Sequence, residues 1–157
     1  MSSIEQKSSY QQIIEPDYSE WAERAVGMYA TNAMQRTGFR MKGTPHLVLG
    51  LLRFGSSAHI LRVEFHLSSI PVEEYVRSMA KILPKNLSEV NELTVGAEEV
   101  IQEAHALNFR FPSKDGLLQP EHLLAGLAIV NDESFALLSD RFSIDTGQLL
   151  KAVKMSK

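Results

Sequence analysis

The chain has 157 residues, of which 44% are hydrophobic and 22% are charged, a balance typical of a soluble globular protein with one domain or two small halves. Its formal net charge of −3 argues against a broad electrostatic interaction with nucleic acid, and no apolar run reaches the roughly eighteen residues that a membrane span needs. Cysteine is absent, which excludes disulfides and thiolate metal sites. The N-terminus has no basic region followed by an apolar stretch, so we expect a cytoplasmic protein.

The first predicted element is an arm over residues 1–16, which is rich in Ser, Gln and Glu and ends at Pro16. We expect this arm to be held loosely. A helix follows from Tyr18, because apolar residues then recur at spacings of four, three and four: Ala22, Val26, Tyr29 and Ala33. Ser19 stands where an N-cap is expected, and Gly38 is placed to end the helix.

Three further helices are predicted before residue 84. Thr44 followed by Pro45 is a typical helix start, and the following residues, HLVLGLLRF, are apolar on nearly every side, so this second helix should be buried. A third helix carries apolar residues at helical spacing, and a fourth begins near Pro71. Residues 84–92 are polar and open with a proline, which predicts a linker.

After this linker the sequence repeats itself. Three pairs of segments match, with offsets of 75, 76 and 77 residues: Tyr18–Ala22 with Leu93–Ala97, His46–Leu51 with His122–Leu127, and Ala58–Phe65 with Phe135–Phe142. The offset changes only between helices, as expected when insertions fall between packed units. We therefore predict an all-α fold of two pseudo-symmetric four-helix repeats, about eight helices in all, over residues 17–83 and 93–157.

Two motifs within this repeat resemble those of a known family. The segments GTPHLVLGLL (43–52) and QPEHLLAGL (119–127) resemble the G-T-E-H-hydrophobic-L-x-G-L signature of the Clp repeat domain, the N-terminal domain of Clp unfoldases such as ClpA and ClpC. Tyr18-Ser19-x-x-Ala22 and Leu93-Thr94-x-x-Ala97 resemble the F-T-x-R-A that opens each repeat of that family. The resemblance implies an all-α Clp N-domain that docks adaptors and substrates. No G-x-x-x-x-G-K-[ST] nucleotide-binding motif is present, so the chain resembles a docking domain without the ATPase modules of the unfoldases.

The resemblance also implies a candidate ligand site. In the ClpC branch each repeat can hold a phosphorylated arginine, with the opening Thr at the phosphate and the Glu of G-T-E-H at the guanidinium. The second repeat retains both residue types, as Thr94 and Glu121, whereas the first repeat has Ser19 and Pro45 in their places. The arginine of F-T-x-R-A is replaced by Trp21 in the first repeat and by a glycine in the second.

Structural roles are an alternative for each of these residues. Ser19 and Thr94 fit helix N-caps, and Glu121 stands in a first helical turn, where a carboxylate complements the helix dipole. Trp21 fits core packing or an exposed binding anchor. His46 and His122 occupy equivalent repeat positions, which indicates a shared packing or hydrogen-bonding role. His59, His66 and His105 have no spacing suited to a metal ion, and we expect neither a metal site nor a cofactor.

Two surface patches are further candidates for binding. Phe109, Phe111 and Leu117-Leu118 flank the loop PSKDG, and any part of this stripe that stays exposed would form a partner patch. A basic cluster before the second helix would suit an acidic partner, although a solvated loop is the simpler interpretation: Arg36, Arg40 and Lys42.

The sequence therefore predicts a non-enzymatic binding protein, an accessory or adaptor of a Clp chaperone-protease. The expected partners are a Clp unfoldase, the Clp protease core or adaptor proteins, with substrate proteins also possible and neither nucleic acid nor membrane among them. A plastid-type accessory, placed in the stroma if this is a processed chain, would dock on the protease core instead of delivering substrates. An independent alternative is a module that sequesters a small ligand or phosphoarginine through the second repeat or the groove between repeats. An enzyme is the third possibility, but no motif in the sequence groups the scattered Asp and Glu residues for acid-base catalysis.

Overall fold

The computed structural model describes residues 18–53, 55–82 and 93–154, which fold into eight helices. Within these ranges there is no strand; extended backbone is limited to two isolated parallel bridges, Tyr18 with Leu118 and Lys42 with Leu93. The all-α prediction is confirmed. The predicted arm (1–16) and linker (84–92) lie outside the described residues.

The first four helices lie before residue 83. Their bounds are: α1 Glu20–Arg24, continued by a π-helical segment Ala25–Tyr29 and then Ala30–Thr37; α2 Thr44–Leu51; α3 Gly55–His59, continued by a π-helical segment Ile60–Glu64; and α4 Ser69–Ile82. The sequence predicted the four helices but not the two π-helical segments. Gly38 ends α1 in the left-handed conformation, at φ +85°, which a glycine adopts without steric cost.

The last four helices correspond to the first four in order. Their bounds are: α5 Val95–Arg110, α6 Pro120–Val130, α7 Glu133–Arg141 and α8 Thr146–Ala152. Four N-caps accept a hydrogen bond from the backbone three residues on, which explains where these helices begin: Ser19 for α1, Thr94 for α5, Asp132 for α7 and Asp145 for α8.

The two central helices are α2 and α6. Every residue of α2 is buried, and so are eight of the eleven residues of α6, as their apolar composition predicted. Each central helix contacts helices from both parts of the chain: α2 packs on α1, α3, α4, α5, α6 and α7, and α6 packs on α1, α2, α3, α5 and α8. A single hydrophobic cluster therefore runs through residues of both parts.

Candidate functional site

The starts of three helices meet at one end of α6, and we call this place the α1–α6 junction: Ser19, Trp21, Gly55, Ser56 and Glu121. The backbone N–H of Ser19 donates to the carbonyl oxygen of Leu118 at 2.8 Å, which holds the start of α1 beside the start of α6. The hydroxyl of Ser56, in α3, donates to a carboxylate oxygen of Glu121. The junction thus joins α1 and α3 to α6, across the sequence repeat.

A pseudo-equivalent place, the α2–α5 junction, is formed by Thr44, Pro45, Thr94, Gly96 and Asp132. Here the backbone N–H of Thr94 donates to the carbonyl oxygen of Lys42 at 2.9 Å, so the start of α5 lies beside the start of α2. The Thr94 side chain also lies close to Gly43, whose added Cβ would be 3.5 Å from the Thr94 methyl. The structure thus brings Thr94 to the helix that carries Pro45, and Ser19 to the helix that carries Glu121.

The hydroxyls of Ser19 and Thr94 act as N-caps. The Ser19 hydroxyl accepts from the backbone N–H of Ala22 at 3.2 Å, and the Thr94 hydroxyl accepts from that of Ala97 at 3.1 Å. Pro45 is buried in the first turn of α2 and presents no polar group, whereas Glu121 is half-buried in the first turn of α6. A ligand role for these four residues stays a prediction.

The α1–α6 junction exposes an aromatic ring. Trp21 is 42% exposed, and the guanidinium carbon of Arg24 lies 5.5 Å from the centre of its ring, a cation–π distance. Its inner edge faces Gly55, where an added Cβ would lie 4.0 Å from the Trp21 Cγ. Gly55 has φ +82°, so this turn at the start of α3 favours a glycine.

The α2–α5 junction is instead filled by Asp132. A Cβ added to Gly96 would overlap this carboxylate and lie 2.8 Å from its Cγ, so a larger residue there would displace the Asp132 side chain. One carboxylate oxygen accepts from the Thr44 hydroxyl at 2.6 Å and from the Phe135 backbone N–H at 2.9 Å. In each junction one larger side chain therefore faces a glycine. Trp21 faces Gly55 in the α1–α6 junction, and Asp132 faces Gly96 in the α2–α5 junction. Sequence reasoning missed Asp132, although an aspartate following the apolar run of α6 is a helix-start signal.

Two equivalent histidines stabilise the starts of the central helices. The Nδ1 atom of His46 accepts from the Gly43 N–H, and that of His122 accepts from the Gln119 N–H, both at 2.9 Å. Each Nε2 therefore carries the proton and donates, from His46 to the Thr37 hydroxyl at 3.2 Å and from His122 to the Phe111 carbonyl at 2.9 Å. Burial, and after it the charge of Lys42, lowers the pKa of His46 to about 3.

The predicted apolar stripe is part core and part surface. Leu118 is fully buried and Phe111 is half-buried, but Phe109 is 89% exposed. Phe111 also lines an open groove of about 390 Å³ beside the start of α6, together with Pro112, Ser113, Gln119, Glu121, His122, Val153 and Lys154. Phe109 thus remains a candidate contact for a protein partner.

The predicted basic cluster is largely engaged within the fold. Arg36 binds Glu73 through two of its nitrogens, at 3.0 and 3.1 Å. Lys42 is 8% exposed, and its Nζ donates to the Val26 carbonyl at 2.8 Å in the π-helical segment of α1; burial lowers its pKa. Arg40 is exposed. The interpretation as a solvated loop does not hold for Lys42, because the π-helical turn offers it a carbonyl inside the protein.

No group of three or more His, Asp or Glu side chains in the described residues is arranged to hold a metal ion. None of the helices in the described ranges is both long enough and apolar enough to cross a bilayer.

Solved structures with the same fold include the N-terminal domains of two chaperones, ClpD and Hsp104. The N-terminal domain of the caseinolytic protease associated chaperone ClpD from Arabidopsis thaliana is 19% identical, with a TM-score of 0.65 over 88% of this chain and 95% of that one. The Hsp104 N-terminal domain from Candida albicans is 12% identical, with a TM-score of 0.66 over 87% and 89%. A structure described as part of a malarial protein secretion system is 16% identical, with a TM-score of 0.65 over 88% and 92%. No protein-family model matches the sequence, and no curated protein does. The chain therefore has the fold of a Clp N-terminal domain.

Proposed function

We propose that this chain is a non-catalytic protein-binding module, an accessory or adaptor of a Clp chaperone-protease. The observation that carries the proposal is the shared fold: one chaperone N-terminal domain is matched over 95% of its length, and the two motifs resembling the Clp repeat lie on α2 and α6. Such a module acts by recognition alone, with one surface for a Clp subunit or adaptor and another for a substrate protein. Two repeats over 17–83 and 93–157, and a cytoplasmic or plastid-stromal location, belong to the same proposal.

Polar side chains at the helix starts have hydrogen-bond partners within the fold. Glu121 is hydrogen-bonded to Ser56, Asp132 to Thr44, and His46 to the start of its own helix, so these polar groups stabilise the fold where they stand. An enzyme would need several titratable groups converging on one cleft. Among the described residues, Glu121 and His122 line the groove at the start of α6, while His46 at the start of α2 and Asp132 at the N-cap of α7 stand apart from that groove.

The experiment is a binding measurement with purified Clp components. The chain is immobilised and exposed in turn to a Clp unfoldase, to the protease core and to known adaptors, at micromolar concentration and low salt. We expect one component to be retained, and Phe109→Ser to weaken that binding if the exposed phenylalanine is an anchor. Val63→Ser, which removes another exposed apolar side chain, is the matched control. If no component is retained, the proposal is wrong.

A second candidate function is the binding of phosphoarginine. The observation that favours it is the position of Ser19 beside Leu118, three residues before Glu121, since a hydroxyl and a carboxylate are the groups of the family site. Calorimetric titration of phosphoarginine into the chain, with Glu121→Ala as the control, tests it. Heat that disappears in the variant supports a ligand site, and no heat at millimolar ligand makes Glu121 structural.

A further inference from the structure

A small pocket lies beside the π-helical segment of α1, and we call it the α1–α2 pocket. Its cavity volume is about 210 Å³. The π-helical segment supplies two lining residues, the following turns of α1 supply two more, and α2 with the turn after it supplies the last two: Met28, Tyr29, Asn32, Arg36, Leu49 and Arg53. Widened turns of this kind are frequent at functional sites. None of the six residues belongs to either junction.

Two arginines and no acidic residue line this pocket. The chain as a whole has a net charge of −3, and the groove beside α6 contains Glu121, so the charge of the pocket stands out from both. Arg53 has no counterpart in the second repeat, because the offset of 76 residues places Ile129 at its position. The pocket is therefore a local positive region of the first repeat, with the chemistry to bind an anion.

The guanidinium of Arg53 is held in place without using its N–H donors. Its central carbon lies 5.2 Å from the centre of the Tyr29 ring, a cation–π distance. Contact with a ring face leaves the donors, which lie in the plane of the guanidinium, for another acceptor. Within residues 18–53, 55–82 and 93–154, no Asp or Glu forms a salt bridge with Arg53. This side chain is thus positioned to bind a carboxylate through two N–H groups.

Arg36 gives the pocket a second guanidinium, which is only partly neutralised. Its Nε and one terminal nitrogen bind the same oxygen of Glu73, at 3.1 and 3.0 Å. Arg77 binds the other oxygen of Glu73 at 3.0 Å, so one carboxylate serves two guanidiniums. Arg36 stays exposed and keeps N–H donors beyond the two that Glu73 accepts. A single carboxylate therefore does not balance the positive charge of this cluster.

We propose that the α1–α2 pocket binds an acidic side chain, glutamate or aspartate, of a partner protein. The carboxylate pairs with the guanidinium of Arg53, and Asn32 supplies amide N–H donors to the same pocket. Met28, which is 53% exposed, and Leu49 add apolar surface for the neighbouring residues of the partner. A carboxylate fits better than a phosphate dianion, because the pocket offers one guanidinium that Glu73 does not already pair. This inference rests on the proposed binding function and names the chemistry of a partner segment.

The first test uses two synthetic peptides that differ at one position. Acetyl-Gly-Ser-X-Leu-Ser-Gly-amide, with X as glutamate or glutamine, is titrated into the full chain at low salt, and the heat is measured by calorimetry. We expect saturable binding of the glutamate peptide and binding weaker by roughly fivefold for the glutamine peptide, because the amide lacks the charge that pairs with Arg53. Equal binding of the two peptides, or no heat from the glutamate peptide at millimolar concentration, would overturn the proposal.

Free anions distinguish a partner side chain from other sources of the same charge. Acetate presents a carboxylate without a peptide, and inorganic phosphate presents a second negative charge. We expect both to bind more weakly than the glutamate peptide, because acetate lacks the contacts with Met28 and phosphate finds no second unpaired guanidinium. If acetate binds as tightly as the peptide, the pocket takes small carboxylates and the assignment to a partner protein is wrong. If phosphate does so, the pocket is a general anion site and the carboxylate assignment is wrong.

Three variants locate the site, with binding measured by calorimetry. Arg53→Gln should weaken the glutamate peptide by roughly fivefold, and Arg53→Lys should restore part of the affinity, since an ammonium keeps the charge but lacks the planar fork. Arg110→Gln is the matched control, because Arg110 is also exposed and lies 5.8 Å from the centre of the Phe111 ring, outside the pocket. Circular dichroism checks that all three fold. If Arg53→Gln and Arg110→Gln behave alike, the binding is a general charge effect and the site is wrong.

The same variants are then tested against the retained Clp component. Retention of that component without any binding of the glutamate peptide would refute the site for an acidic side chain and leave the proposed function standing. Binding of the glutamate peptide without retention of any Clp component would refute the proposed Clp role and support a site for acidic segments of another partner. The two failures are therefore distinguishable.

Discussion

Gly50 of α2 lies directly on the carbonyl oxygen of Ala25 in α1. A Cβ added to Gly50 would fall far inside van der Waals contact with that oxygen and 3.1 Å from the carbonyl carbon. The same relationship recurs in the second part of the chain, where a Cβ on Gly126 would lie 2.8 Å from the Val100 oxygen. In each case the central helix approaches its neighbour backbone to backbone, and only a residue without a side chain permits that approach.

Gly50→Ala should therefore be strongly destabilising. Both clashing atoms belong to backbone that cannot move without displacing α1, so we expect a loss of about 3 kcal/mol in the free energy of unfolding. Gly126→Ala should cost less, about 1 to 2 kcal/mol, because its clash is milder. Urea denaturation measures both. Gly27→Ala is the control: an added Cβ meets nothing within 4 Å there, and alanine in a helix should add about 0.5 to 1 kcal/mol.

The helices and their starts could be predicted from the sequence because local chemistry determines them. Ser19 and Thr94 are good N-caps, Thr44-Pro45 begins a helix, and the apolar runs after His46 and His122 bury on every side. These signals act within one turn of helix, so they predict where a helix begins independently of the tertiary fold.

The pairing of helix starts across the repeat could not be predicted in this way. Within the second repeat, Thr94 and Glu121 look like members of one site, but the structure places Thr94 beside Lys42 and Ser19 beside Leu118. The partners in each pair are 52 and 99 residues apart, and no local pattern encodes contacts at such separations. The filling of one junction by Asp132 is likewise a tertiary effect, since an N-cap signal does not tell which second helix the carboxylate contacts.

The burial of Lys42 has the same origin. A lysine in a polar loop is ordinarily exposed. Here the π-helical segment of α1 places the Val26 carbonyl within hydrogen-bond distance of the Lys42 ammonium. No feature of the sequence Ala25–Tyr29 predicts a π-helical segment. The residue types of the candidate site were therefore predictable from the sequence, but which of these residues lie together in the fold was not.

The two opening hydroxyls should contribute similar stability as helix caps. Thr94→Ala and Ser19→Ala each remove one accepted backbone hydrogen bond, at 3.1 and 3.2 Å, and should lower the free energy of unfolding by about 1 kcal/mol. Thr94→Ser keeps the hydroxyl and should remain within a few tenths of a kcal/mol of the parent. Chemical denaturation checks all three. A Thr94→Ser loss as large as that of Thr94→Ala would show that the threonine methyl, rather than the cap, matters.

The stability of the protein should fall with decreasing pH because of His46. Burial, with a smaller effect of Lys42, lowers the pKa of this histidine to about 3 in the folded state, while its unfolded value is 6.5. Between pH 3 and pH 6.5 His46 is protonated in the unfolded chain but not in the folded chain, so a lower pH favours unfolding. The contribution of His46 is complete above pH 6.5 and is lost as the pH falls from 6.5 towards 3, by up to about 1.4 kcal/mol per pH unit.

Urea denaturation at pH 7.5, 6.0 and 5.0 measures this dependence. His46→Asn is the informative variant, because an amide oxygen can accept the Gly43 N–H in place of Nδ1 but does not titrate in this range. The variant should be less stable than the parent at pH 7.5, with a shallower loss between pH 6.0 and 5.0. Identical slopes in the two proteins would assign the pH dependence to other groups.

Asp132 should contribute more stability than an ordinary helix cap. Its carboxylate accepts from the Phe135 N–H as an N-cap and also from the buried Thr44 hydroxyl, which joins α7 to α2. Asp132→Ala should therefore cost about 1 kcal/mol for the cap and about 1 kcal/mol more for the bond to Thr44. Asp145→Ala is the matched control, because Asp145 caps α8 through the Gln148 N–H at 3.0 Å and should lose the cap contribution alone.

A double-mutant cycle isolates the tertiary part of the Asp132 contribution. Thr44→Val removes the buried hydroxyl with little change of shape, and its cost should be smaller when Asp132 is already alanine. We expect a coupling of about 1 kcal/mol, since the two groups share one hydrogen bond in a part-buried site. A coupling near zero would mean that Asp132 acts as a cap alone. In that case the closure of the α2–α5 junction would follow from the bulk of Asp132 over Gly96, and not from its bond to α2.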